Sequence, residues 1–360
     1  MTSLIFDNPP FRQCHGSTLA RMPSGQFVSA WFAGTREMNP DTAIWWSRQE
    51  GGSWSEPVVA FKVCEQAHWN PVLFVDDKGR LVIHFKIGRF PDSWDTYRAR
   101  LGANGKWTAP RMMKATMLAC GKLTMGPVRN KMVTMSDGTI IAPSSIERTV
   151  SRWSHPFKVE WNSVFHVSRN GGKTWCTTDI VGYDRQKYGP LGGIIQPAVW
   201  ESSKGVASAF FRSTTGFLFR SDSADGGMTW SDAVQTGIMN PNSAVDVATR
   251  DGILAMVYNP VTGNWARRSP LSIAFSNLDG KTFGEPVVVC EGPGSYSYPS
   301  MVATDYGFAM TYTWSRRRIA FAEARVLGQE AGTGCPKVSV ELGSSIGSWT
   351  WPQQGEGDAG

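Results

Sequence analysis

The chain has 360 residues, 36 basic and 30 acidic side chains and a formal charge of +6, with 41% hydrophobic and 18% charged residues. This balance belongs to a folded globular chain rather than a disordered one, and no apolar run approaches the ~18–20 residues of a membrane-crossing helix. The basic residues are dispersed with no run of five, so an isoelectric point near 9.0 suits an acidic small substrate, and neither nucleic acid nor membrane is expected as a partner.

Glycine and proline, at 38 and 21 residues, punctuate the chain every few positions. No stretch of about 12 residues keeps a helical period. In chain order, short alternating runs occur at 26–32, 42–46, 72–75, 81–85, 163–167, 272–275 and 310–314, and they read as strands of an all-β domain. Six cysteines (Cys14, Cys64, Cys120, Cys176, Cys290, Cys335) are scattered singly. That pattern excludes a disulfide scaffold or zinc ribbon and fits reduced thiols in a cytosolic protein. The opening MTSLIFDNPPF lacks a basic segment followed by a long apolar stretch, so a cytoplasmic location is expected, with a secreted mature form left open.

An internal repeat organises the chain. Ser223-Ala-Asp225-Gly-Gly227-Met-Thr229-Trp230 recurs as Ser168-Arg-Asn170-Gly-Gly172-Lys-Thr174-Trp175 and as Ser276-Asn-Leu-Asp-Gly280-Lys-Thr282-Phe283. Weaker copies are Ser47-Arg-Gln-Glu-Gly51-Gly-Ser53-Trp54 and Asn104-Gly-Lys-Trp107. The closing aromatics at 54, 107, 175, 230 and 283 lie 53, 68, 55 and 53 residues apart. Each copy reads as a hairpin turn: Asp or Asn folds onto the backbone, Gly takes positive φ, and the aromatic packs beneath. One such turn per ~50–60 residues matches a four-stranded propeller blade, and about 325 residues then make six blades. The last blade takes strands at 297–303, 308–314 and 319–325, with an N-terminal strand around 4–7 closing the ring. The expected division is a propeller over 1–328 and a loosely ordered Gly/Ser-rich tail over 329–360.

These turns resemble the Asp-box of the sialidase superfamily. The chain is similar to the sialidase-like, BNR-repeat proteins of bacteria and fungi from about Cys14 to Arg325. The segments carrying the resemblance are CHGSTLARMPSGQFVSAWFAGTRE, HWNPVLF, GPVRNKM, PSSIE, IIQPAVWE, NPNSAVD and YSYPSM. The resemblance implies a Tyr nucleophile assisted by Glu, an acidic acid/base and three Arg on the substrate carboxylate. By local pattern it puts the nucleophile at Tyr296, the assisting carboxylate at Glu201 and the acid at Glu37, on a loop shortened to Glu37-Met-Asn-Pro-Asp41. A carboxylate is needed because a neutral phenol is a poor nucleophile. His15 stands where the family has its first Arg. The second falls near Leu218, leaving Arg212 and Arg220 as neighbours, and the third comes from Arg267 or Arg268. Arg36 matches an arginine bordering the pocket.

Polar residues on the innermost strands either line the channel or satisfy one another across it, since burying them alone costs several kcal/mol. These are His68 and Asn70, then Arg129, Asn130 and Lys131, then Gln196, and then Asn240, Asn242 and Asp246. Arg36, Arg129, Arg212 and Arg267 are candidates for gripping a carboxylate. His84 sits mid-strand; His155 and His166 lack ligand-spaced companions, so no metal and no cofactor are expected. The leading expectation is a six-bladed β-propeller exo-glycosidase acting on a terminal, acidic sugar of a small carbohydrate or glycoconjugate. A lyase using His15, His68, Tyr298 and Arg129, a non-sugar enzyme and a sugar-binding propeller stand as alternatives.

Overall fold

Short alternating runs broken by tight turns pair most readily with their sequence neighbours, and antiparallel meanders account for nearly the whole chain. The computed structural model describes residues 2–151, 153, 158–330 and 336–342. β1 (Thr2–Leu4) stands apart from the first meander. β2 (Gln13–Arg21), β3 (Phe27–Gly34) and β4 (Ala43–Glu50) pair in order, with β5 (Ser53–Trp54) and β6 (Val58–Phe61) on β4. β7 (His68–Val75), β8 (Leu81–Ile87), β9 (Asp95–Arg100) and β10 (Arg111–Met112) form the next sheet. β11 (Ala115–Leu118) and β12 (Gly121–Thr124) make a small ribbon.

β13 (Val133–Thr134), β14 (Ile140–Ser151), β15 (Lys158–Ser168) and β16 (Cys176–Thr177) follow, then the short helix α1 (Arg185–Tyr188). β17 (Gly192–Ser203), β18 (Val206–Ser213), β19 (Phe217–Ser223) and β20 (Val234–Met239) form another meander. A parallel contact of Glu160 and Trp161 with Gly192 and Gly193 joins these two into one sheet. β21 (Asp246–Arg250), β22 (Ile253–Tyr258), β23 (Leu271–Asn277) and β24 (Val287–Cys290) come next. In the last sheet β25 (Tyr296–Thr304), β26 (Gly307–Trp314) and β27 (Arg318–Glu330) are completed by β1, whose Thr2–Leu4 pair with Ala322–Ala320. The chain's first strand thus closes its last sheet, two to three residues earlier than expected. Within the stretch expected to be a tail, β28 (Lys337–Leu342) pairs with the far end of β27. Residues 331–335 and 343–360 lie outside the described residues.

The turn repeat forms as its residue types require. Ser223 Oγ donates to Asp225 at 2.8 Å and accepts from Gly227 N at 2.9 Å. Asp225 also accepts from Met228 N, Thr229 N and Thr229 Oγ1, and Trp230 returns its indole N–H to the Gly227 carbonyl. Burial opposes ionisation, but these donors outweigh it and hold the Asp225 carboxyl down to about 2. Gly227 has φ +87°, and a Cβ there would lie 2.6 Å from Ile141. Trp230 stacks on Phe165 with ring centroids 3.9 Å apart. The Asn170 copy keeps the Ser168, Gly172, Thr174 N and Trp175 bonds, but Asn170 Nδ2 donates to Thr174 Oγ1 where Thr229 Oγ1 donates to Asp225. The repeat is structural and lies at the hairpin turns.

The first strands of successive sheets are tied side by side. Thr18 Oγ1 on β2 accepts from Leu73 N on β7, Ser300 Oγ on β25 accepts from Leu19 N, and Asp246 on β21 accepts from Met301 N. Ser145 Oγ on β14 accepts from Gln196 N on β17. Apolar side chains fill the gaps between neighbouring sheets, as where Phe61 stacks on Phe85 at 4.7 Å. No helix among the described residues is long and apolar enough to cross a membrane. Cys14, Cys64, Cys120, Cys176 and Cys290 are free thiols; Cys335 and His155 lie outside the described residues.

Candidate functional site

Near the entry to each meander stands a residue with left-handed backbone: Gly16, Asn70, Arg129, Gln196, Asn242 and Tyr298, with φ between 40° and 67°. Such φ values are costly for residues with a Cβ, and only a surrounding structure that fixes them makes them persist. Four of the six coincide with register shifts, at His15/Thr18, Trp69/Val72, Ile195/Ala198 and Ser297/Ser300. A bulge there breaks the two-residue alternation and re-aims the side chain. Several of these re-aimed side chains meet in one place.

Tyr298 is the centre. Its hydroxyl accepts from Arg212 Nη1 at 2.7 Å, and the guanidiniums of Arg129, Arg268 and Arg212 lie 5.1, 5.4 and 5.6 Å from its ring centroid. Arg212 further donates to Asn242 Oδ1 at 2.9 Å and Gln196 Oε1 at 3.1 Å. Arg268 donates to the Asn242 carbonyl at 3.3 Å. Two indoles flank the arginines: Arg212 faces both Trp161 and Trp265, and Arg268 faces Trp265. His15 lies against Tyr298 with ring centroids 4.0 Å apart. Its Nδ1 meets Thr313 Oγ1 at 3.1 Å, while Nε2 is buried without a partner. Glu37 pairs with Arg316 and closes a narrow cleft beside His15.

The electrostatics follow from this crowding of cations. Burial pushes the Tyr298 phenol up, but Arg212 and Arg268 outweigh it and hold it below its ordinary value, against the opposing charge of Glu37. Burial, then the charges of Arg316, Arg268, Arg129 and Arg212, keep His15 far below its ordinary value, hence neutral. Burial lowers Arg268 to about 10. Burial also raises Glu147, on β14, to about 7 against the pull of Arg212 and the Trp161 N–H. The pocket therefore offers net positive charge, a phenol more acidic than an ordinary tyrosine, and one carboxyl that is partly protonated at neutral pH.

The pair expected from sequence does not assemble. Tyr296 is buried in the apolar core with its ring edge-on to Trp314, and its hydroxyl points among Gly292 and Gly294. Glu201 is five residues along β17 from Gln196, about 16 Å at strand rise. It accepts from Ser136 N and Oγ, both at 2.7 Å, and from Gly205 N, lining a different groove. Plain alternation would put Tyr296 and Tyr298 on one face; the Ser297/Ser300 bulge separates them and sends Tyr298 inward.

Other expected residues divide likewise. His15, Gln196, Arg212 and Tyr298 come together, with Glu37 beside them. Asn70 lies nearby, its Oδ1 3.3 Å from where a Gly16 Cβ would stand. Arg129 is buried beneath Tyr298 and donates to the Ser17 and Pro299 carbonyls at 3.1 and 2.7 Å, so it supports the site rather than binding substrate. Lys131 and Asp246 pair with each other at 2.7 Å. His68 is locked by Val63 N and the Gln66 carbonyl, away from Tyr298. Arg36 is exposed. Of the arginine doublet, Arg267 reaches the exposed Gly292 carbonyl and Arg268 turns inward. Leu218 is core, and Arg220 pairs with Asp222 away from Tyr298.

Sequence reasoning missed Glu147, Trp161 and Arg316. The PSSIE segment held the only signal for Glu147, while Trp161 and Arg316 stand in no recognisable pattern. Among the described residues no cluster of three or more His, Cys, Asp or Glu could hold a metal ion.

The fold is shared with solved structures. A protein of unknown function from Dyadobacter fermentans aligns at TM-score 0.71 and 18% identity over 89% of this chain and 96% of its own. The K499G mutant of the NanB sialidase from Streptococcus pneumoniae aligns at TM-score 0.65 and 14% identity, over 88% and 70%. The Trypanosoma rangeli sialidase in complex with sialic acid aligns at TM-score 0.62 and 15% identity, over 86% of this chain and 54% of its own. No curated protein matches the chain by sequence. The BNR repeat-like domain matches residues 25–310, most of the chain. With its Asp-box turns, all-β sheets and sialidase-like fold, the chain belongs to the BNR repeat-like domain family.

Proposed function

We propose that the chain is a sialidase-like glycoside hydrolase acting on a terminal acidic sugar, with its successive meanders arranged as six blades around a common axis. Arg212 and Arg268 hold the sugar carboxylate, because planar guanidiniums grip carboxylates in two-point fashion. Tyr298 attacks the anomeric carbon. A phenol avoids pressing a second carboxylate against an already anionic sugar, and Arg212 keeps it reactive. Trp161 and Trp265 present apolar faces for the sugar ring. The observation that carries this reading is the Tyr298 hydroxyl held 2.7 Å from Arg212 Nη1 with Arg268 beside the ring.

The test is a panel of aryl glycosides of sialic, ketodeoxynononic, uronic and neutral sugars. Release from acidic sugars that disappears in Tyr298→Phe and falls with the methyl esters is expected. Equal turnover of acid and ester would refute the carboxylate grip.

A second reading is favoured by one observation. The neighbour of Arg212 and Tyr298 is an amide, Gln196, rather than a carboxylate. A phenol made more acidic by arginines, with no carboxylate beside it, also suits proton transfer next to a uronate carboxylate, that is, β-elimination. An unsaturated, ultraviolet-absorbing product would identify the lyase.

A further inference from the structure

Glycosidic cleavage needs a proton on the departing oxygen, and the donor expected from sequence, Glu37, has its carboxylate held by Arg316. A second carboxyl stands at the same pocket. Glu147 lies where the β14–β15 hairpin carries Trp161 over the arginines, and the two residues are paired across the strands. Glu147 Oε2 accepts from Trp161 Nε1 at 3.1 Å. The Arg212 guanidinium sits 5.4 Å from the Trp161 ring, and Arg212 holds the Tyr298 hydroxyl. One indole and one guanidinium therefore link carboxyl to phenol.

Glu147 has no ion-pair partner among the described residues. Among the described residues, Arg148 pairs with Glu160, Lys122 with Asp95, and Arg185 donates to the Trp161 carbonyl and Asn162. Among the described residues, the charge of Arg212 favours the Glu147 anion, and those of Asp92 and Glu37 oppose it.

We propose that Glu147, rather than Glu37, delivers the proton to the leaving oxygen, a role that rests on the hydrolase reading above. The Tyr298 hydroxyl gives its proton to solvent as its oxygen bonds to the anomeric carbon; the bond to the leaving oxygen breaks, and that oxygen takes the electron pair and the Glu147 proton. The Glu147 carboxylate then takes a proton from water, whose oxygen displaces the Tyr298 oxygen from the anomeric carbon; Tyr298 regains a proton from solvent, so both groups return to their starting states. Burial places the carboxyl near 7 against the pull of Arg212, and an incoming sugar carboxylate engages Arg212. Binding therefore strengthens the protonation that the first step needs.

The experiment is calorimetry of free N-acetylneuraminic acid and of glucuronic acid at pH 7, in buffers of different ionisation enthalpy. Uptake of about half a proton per bound sugar is expected, because a group half-protonated beforehand becomes fully protonated. In Glu147→Gln binding should persist without uptake, while Glu37→Gln should retain it. Against glycosides of the bound sugar, Glu147→Gln should lose about 100-fold on an alkyl leaving group and less than about 10-fold on an acidic phenol. Uptake surviving in Glu147→Gln, or equal losses on both leaving groups, overturns the proposal and leaves the hydrolase reading standing. Absence of binding by either sugar overturns the reading itself and the proposal with it.

Discussion

Lys86, on β8, is fully buried with no acidic partner among the described residues, and its replacement should stabilise the protein. Its ammonium meets Thr96 Oγ1 at 2.5 Å and Thr124 Oγ1 at 3.4 Å, while the nearest acid, Asp95, pairs with Lys122. Burial lowers it from 10.5 to about 7. At about 1.4 kcal/mol for each pH unit, that drop is worth about 5 kcal/mol. The folded pKa lies below the unfolded one, so between pH 7 and 10.5 the unfolded chain binds the extra proton. Stability from this group therefore rises with pH across that window and is flat below it.

Lys86→Met removes the amine but keeps the packed stem, and Thr96 and Thr124 remain bonded to each other at 2.8 Å. Allowing about 1 kcal/mol for the lost hydrogen bond, the variant should gain about 4 kcal/mol at pH 7 and approach the parent near pH 10. Urea unfolding of both proteins at pH 7, 8, 9 and 10 reads the difference directly. His84 and His166, whose depressed values Lys86 itself helps to set, titrate below this pH window, so the comparison from pH 7 upward reads Lys86. Identical pH slopes, or a variant less stable at pH 7, would refute the reasoning.

Arg129→Ala should cost about 3–5 kcal/mol in thermal or urea unfolding, because it strips donors from the buried Ser17 and Pro299 carbonyls; a variant that loses only sugar affinity would contradict its supporting role. Tyr298→Phe should abolish turnover by about 100-fold or more with little change in melting, whereas Tyr296→Phe should leave turnover within a few-fold, a contrast that steady-state kinetics measures. Asp225→Ala should lower stability by about 1–2 kcal/mol through the lost turn bonds and leave kcat unchanged, since the repeat lies away from Tyr298. Gln196→Glu sets a carboxylate against Arg212 and Tyr298; hydrolysis should rise if the phenol needs help losing its proton, and β-elimination should fall if the arginines alone keep it basic.

The sequence by itself determined the strands, the turn repeat and the closing role of the N-terminal segment, because each rests on local chemistry. Positive-φ glycines, side chains folding onto turns, and two-residue alternation act within a few residues of one another, so they are visible in the letters. The alternation of inner-strand residues placed Gln196 near a common centre, and the resemblance to the sialidase superfamily supplied His15 and Arg212. They failed two residues apart on one strand. Tyr296 and Tyr298 carry the same side chain, and only the bulge at Ser297/Ser300, set by pairing with β26, decides which one faces the arginines. Arg267 and Arg268 are divided in the same way, by where their side chains find partners. Arg129 looks like a carboxylate ligand in the sequence, yet two carbonyls from distant strands hold it as a support. Glu147 gains its character only from burial beside Trp161 and Arg212, 14 and 65 positions away in the sequence. Desolvation and long-range charge are properties of the assembled pocket, and the tertiary structure alone decided them.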